Sequence, residues 1–101
     1  MTKNQAIQAA REAYGADPLQ QTRKQPNVWA RAACYATLYE PRVYTVQRLG
    51  KEFGVDHSTV VYSLKVHRQF LECDKEYQKK YNEFTETLRK IVNPTAAEAR
   101  K

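Results

Sequence analysis

Glycine is scarce in this chain, with three in 101 residues, and there are only two cysteines. So few glycines exclude a glycine-rich or collagen-like chain. Apolar runs are only a few residues long, so no segment is expected to span a bilayer. The opening segment MTKNQAIQAAREAYG lacks the apolar stretch of a signal peptide, which makes an intracellular, cytoplasmic protein the expectation. Cys34 and Cys73 form no CxxC pair, and only His57 and His67 could join them. A structural zinc site is therefore not expected, and two reduced thiols are. Gly50-Lys51 has no upstream glycine partner, so the chain carries no phosphate-cradling ATPase loop and no nucleotide is expected. No Ser/His/Asp or Cys/His set has a recognisable local context, and Asp56 cannot form a catalytic pair with His57 merely by standing next to it. Neither an enzyme nor a bound cofactor is expected.

What is present points to a folded basic domain. Hydrophobic residues make up 42% and aromatic residues 11% of the chain, which is too much apolar material for a disordered one. The net charge is +6. Residues 23–72 hold eight cations against four anions, whereas the first 22 residues are neutral overall. The cationic excess thus sits in the middle of the sequence, the pattern expected of a polyanion-binding surface.

Hydrophobic spacing predicts an all-α bundle of about five helices over residues 1–92, followed by a short polar tail, 93–101. The first helix runs from about Lys3 to Tyr14, with Ile7, Ala10 and Tyr14 on one face and Gly15 as its stop. Asp17-Pro18 suggests a brief capped turn, and Gln20 to Pro26 a basic linker. Asn27 is the expected cap of a second helix that buries Val28, Ala32, Tyr35 or Ala36, and Tyr39 before Pro41 ends it. A mid-helix Cys34 is expected to be buried and inert, and Trp29 to anchor helix packing. Thr45 caps a short helix carrying Val46, Leu49 and Phe53, closed by Gly54. Asp56 caps the next helix, from His57 to about Glu72, packing Val60, Val61, Leu64 and Leu71. His67 is read as a packing or solvated residue and Tyr62 as a surface-to-core edge. The last helix, from about Asp74 to Ile91, carries the stripe Tyr77, Tyr81, Phe84, Leu88 and Ile91.

The segment Thr45–Lys65, TVQRLGKEFGVDHSTVVYSLK, holds the pattern with functional content. A short helix, a glycine turn and a longer helix whose first turn is small and polar make a helix-turn-helix candidate, with that polar end free to enter a groove. Leu49-Gly50-x-x-Phe53-Gly54 followed by Asp56-His57-Ser58-Thr59-Val60 resembles the C-terminal, box-binding domain of the bacterial replication initiator DnaA. The resemblance extends over most of the chain, from Ala13-Tyr14-Gly15 through Thr22-Arg23-Lys24 and Val28-Trp29-Ala30-Arg31-Ala32 to the final helix. It implies a Trp-repressor-like helix-turn-helix fold and sequence-specific binding to double-stranded DNA.

Residue by residue, the resemblance implies that Asp56, His57, Ser58 and Thr59 read base edges in the major groove. Arg23, with Lys24 beside it, would enter the minor groove. Arg31, Thr45, Val46, Gln47 and Lys65 would hold phosphates. The chain departs from the family where an arginine usually precedes the Asp-His pair: here Phe53-Gly54-Val55-Asp56 is one residue shorter and lacks it. Ser58 also stands for the commoner threonine. With no ATPase module expected, the resemblance implies a free-standing monomeric DNA reader acting in replication initiation, its regulation or transcription. Such a reader could compete with a host initiator for its boxes. The other reading is a protein-interaction adaptor that keeps this fold without specific DNA binding, supported by the missing arginine.

Overall fold

The described residues form five helices, four of them opened by a side-chain cap. The structure, a computed structural model, describes residues 2–20, 24–39 and 44–93. Helix α1 spans Lys3–Tyr14, α2 Gln25–Leu38, α3 Val46–Phe53, α4 His57–Cys73 and α5 Lys75–Val92. Thr2 opens α1 through a reciprocal capping box with Gln5, and Gly15, in the left-handed region at φ 64°, closes it. Thr45 and Asp56 cap α3 and α4 as their side-chain chemistry predicts. Asp74 serves two helices. Its extended backbone stops α4, and its carboxylate accepts from the Tyr77 N–H at 3.1 Å to start α5.

The bundle is an all-α fold in which α1 packs on α2 and α5, while α4 packs on α2, α3 and α5. Small residues let α1 and α2 approach closely: Ala6, Ala9, Ala10, Ala30 and Ala33 are wholly buried. Cys34 lies in this seam, its Sγ 3.6 Å from the Ala6 carbonyl oxygen, and burial pushes its thiol pKa up to about 12. It is an inert packing residue, whereas Cys73 is exposed. Larger side chains fill the rest of the core. Tyr35 of α2 meets Phe53 of α3 edge-on at 5.1 Å between centroids. Trp29 meets Tyr77 of α5 at 4.9 Å, which makes it the anchor its spacing suggested.

Several sequence expectations fail in instructive ways. The linker is shorter than Gln20 to Pro26, because α2 begins at Gln25 with Lys24 at its N-cap position and Pro26 in its first turn. Asn27 is no cap. It is buried, and its Nδ2 donates to the Asp17 carbonyl at 2.9 Å and to Gln20 Oε1 at 3.3 Å, tying the preceding turn onto α2. Of the face expected of α2, Ala32 and Tyr35 are buried while Val28 and Tyr39 are exposed, and Ala30, Ala33, Cys34 and Leu38 complete the buried side. Val61 also points outward. The inward row of α4 runs through Val60, Leu64 and His67 at i, i+4 and i+7, and Val61 lies off it. The expectations at Arg23 and Pro41, and for the tail beyond Asn93, lie outside the described residues.

His67 is the polar group at the back of α4. It is buried, its Nδ1 is 2.5 Å from the Tyr77 hydroxyl, and its ring meets Tyr81 edge-on at 4.6 Å. Burial, with a smaller contribution from the Arg68 charge, pushes its pKa down to about 4. Burial also raises the Tyr77 hydroxyl above its usual range, so that phenol remains protonated.

The joint between α3 and α4 rests on Gly50. A Cβ there would stand 2.7 Å from the Val55 carbonyl oxygen and 3.1 Å from the His57 amide nitrogen, both backbone atoms. The Gly50 carbonyl meanwhile accepts from the Gly54 N–H and, at 2.8 Å, from the Val55 N–H, closing α3 through Gly54 at φ 69°.

Two outcomes follow from these two sites. Gly50→Ala should destabilise the fold by about 2 kcal/mol, since backbone rather than a side chain must move. A urea midpoint equal to that of the wild type would show that the joint can open. For His67, the depressed folded pKa means that the unfolded chain takes up the proton first as pH falls. The stability it contributes is complete above about pH 6.5 and is lost down to about pH 4. The stability advantage of wild type over His67→Gln should therefore shrink by about 2 kcal/mol between pH 7 and pH 4.5 in denaturant titrations. An advantage independent of pH would contradict a buried neutral ring.

Candidate nucleic-acid interface

The first turn of α4 carries four polar residues, and all four are exposed: Asp56, His57, Ser58 and Thr59. Their placement follows from the joint behind them. Phe53 and Leu49 are buried on the inner side of α3, and Val60 is buried on the inner side of α4, so the residues before Val60 emerge on the outside. The close backbone approach at Gly50 holds the two helices together at that point.

Within the turn, Asp56 is partly committed to its own helix. Its Oδ1 accepts from the Ser58 N–H at 3.4 Å and lies 3.0 Å from His57 Nδ1. Asp56 therefore orders the helix start and the imidazole beside it, and its second oxygen is left to face outward. Thr59 donates its amide to the Asp56 carbonyl at 3.0 Å. About two and three turns further on, Lys65 and Arg68 are exposed with no ion-pair partner among the described residues.

At the start of α3, Thr45 Oγ1 accepts from the Arg48 N–H at 3.2 Å. The amides of Val46 and Gln47, in the first helical turn, have no carbonyl behind them in the helix. Thr45, Val46 and Gln47 thus stand where α3 presents its positive dipole end, which suits an anion. The guanidinium of Arg48 lies 4.1 Å over the Tyr44 ring, a placement the sequence reading did not anticipate.

The structure joins Thr45–Gln47 and Asp56–Thr59 through the α3–α4 packing, with Lys65 further along the same helix. The other expected contacts belong to α2. Lys24 is exposed at the head of that helix, which packs on α4. Arg31 is half-buried, and its charge acts on the Tyr35 hydroxyl, so it is turned partly inward. Arg23 is outside the described residues.

Two residues of α4 are more exposed than expected: Val61, expected to pack, is 50% exposed, and Tyr62, expected at a surface-to-core edge, is 66% exposed. Adjacent residues can share a buried face, as Ala32, Ala33, Cys34 and Tyr35 do in α2, so only the packing of α4 shows that Val61 turns outward. Tyr62 also borders an apolar cleft of about 80 Å³ between α2 and α4, floored by Trp29, Ala32, Val66 and Phe70.

Among the described residues no three His, Cys, Asp or Glu side chains gather into a group able to hold a metal ion, and no helix is long and apolar enough to cross a membrane. Compared with protein-family models, curated proteins and solved structures, the chain matches none.

Proposed function

We propose that the chain is a sequence-specific reader of double-stranded DNA, with α4 as its recognition helix. One observation carries this: the polar, exposed first turn of α4, Asp56–Thr59, is set by a backbone-tight joint on the same helix as the exposed cations Lys65 and Arg68. A major groove admits one helix, and the helix that enters it must show hydrogen-bonding side chains at its N-terminal end. His57 and Thr59 supply such groups, and Asp56 supplies an acceptor for a cytosine amino group. Lys65 and the start of α3 at Thr45, Val46 and Gln47 meet the backbone, while Lys24 and the neighbouring Arg23 reach toward the minor groove. The resemblance to the initiator's box-binding domain supports the same assignment. The protein then acts in replication initiation, its regulation or transcription, alone or in competition with an initiator for its sites, as a monomer and without catalysis, nucleotide or cofactor.

A second reading draws on the cleft between α2 and α4. An apolar hollow floored by Trp29 and Phe70 and flanked by exposed Val28 and Tyr62 suits a protein side chain better than a duplex. It favours an adaptor role, which requires no sequence preference in DNA.

The two readings separate on substitution. His57→Ala removes no core contact, and it should weaken binding to a preferred duplex by about 1–3 kcal/mol while leaving non-specific binding nearly unchanged. Lys65→Ala should weaken both and reduce the salt slope by about one. Fluorescence anisotropy across a salt series measures both effects. Unchanged sequence discrimination in His57→Ala would remove α4 from the recognition role.

A further inference from the structure

We infer that Val61 is a reader of the thymine 5-methyl group, so that the preferred duplex contains a thymine whose methyl is recognised by this side chain; this rests on the DNA reading above. Val61 is half exposed while Val60, beside it, is wholly buried. It therefore has no full share in the core. Valine is also a poorer helix former than alanine, and nothing in the local helix calls for it. Its position is more informative. It stands three residues after Ser58 and four after His57, hence beside both on the helix surface, and four before the exposed Lys65. An apolar group thus sits between the polar reading turn and a cation placed for the backbone.

In a duplex, the thymine 5-methyl is the one methyl group on the major-groove edge, standing out among donors, acceptors and the smaller C5–H of cytosine. A β-branched side chain held to one rotamer by its helix presents its methyls at a fixed place, which is what a reader of shape requires. Tyr62, exposed on the same stretch, adds bulk beside it.

The test begins with a duplex selected from a randomised library at about 0.15 M salt, where non-specific phosphate binding is weakened. Each thymine is then replaced in turn by deoxyuridine, which lacks only the methyl, and Kd is measured for wild type and Val61→Ala. At one position, loss of the methyl should weaken wild type about fourfold, the equivalent of removing one apolar carbon from burial. Val61→Ala should bind the two duplexes equally, about as weakly as wild type binds the deoxyuridine form. Because alanine favours the helix, folding of the variant is not at issue, and circular dichroism verifies it. A selected sequence without a methyl-sensitive thymine, or with the same sensitivity in both proteins, overturns this inference and leaves the DNA reading standing. No selected sequence at all overturns both.

Discussion

The backbone contact at Gly50 is the constraint from which the rest of the outward surface follows. Two chain segments approach there more closely than any side chain would allow, and the Gly50 carbonyl meets two amide donors from the turn beyond. Hydrogen bonds of this kind gain only about 1 kcal/mol each over hydration. Their effect here is geometric. They leave α3 and α4 one way to leave the joint, and this decides that Asp56, His57, Ser58 and Thr59 emerge on the outside while Leu49, Phe53 and Val60 go in.

The opposite side of α4 is held by a different chemistry. Trp29, His67, Phe70, Tyr77 and Tyr81 contact one another edge-on or tilted at centroid separations of 4.6–5.4 Å. Such pairs add about 0.5–1.5 kcal/mol each beyond their buried area and favour particular angles. They link α2, α4 and α5 through one cluster. The neutral imidazole in its midst meets its polar requirement through Tyr77, whose hydroxyl would otherwise be buried without a partner. Tyr14 and Tyr35 show the alternative, with buried hydroxyl groups that have no partner among the described residues. Their rings serve packing, and their oxygens are an expense of that packing.

Helix count, both glycine stops and the two caps Thr45 and Asp56 were legible in the sequence, because a cap needs only a local side chain and a glycine stop only a permissive backbone. Thr45, Asp56 and Gly54 are such cases. Asn27 was misread because its residue type suits a cap equally well, and only the path of residues 17–20 shows that its amide is required elsewhere. That path is tertiary information. Val28 and Tyr39 were misplaced because α2 buries Ala30 and the whole run Ala32 to Tyr35, a face too broad for spacing alone to give its edges. In the candidate interface, the reading turn was visible as a run of small polar residues, whereas the outward direction of Val61 required choosing between two equivalent valines. The inward turn of Arg31 had no local signal.

The division of α4 into two faces has an evolutionary consequence. Residues 58, 61, 62 and 65 carry none of the wholly buried core, and the opposite face carries all of the helix's aromatic anchoring. Exchanges on the outer face therefore leave stability almost untouched. If α4 reads DNA as proposed, descendants of such a chain can acquire a different preferred target through a few substitutions, with no compensating change inside. Divergence in what is recognised is decoupled from conservation of shape.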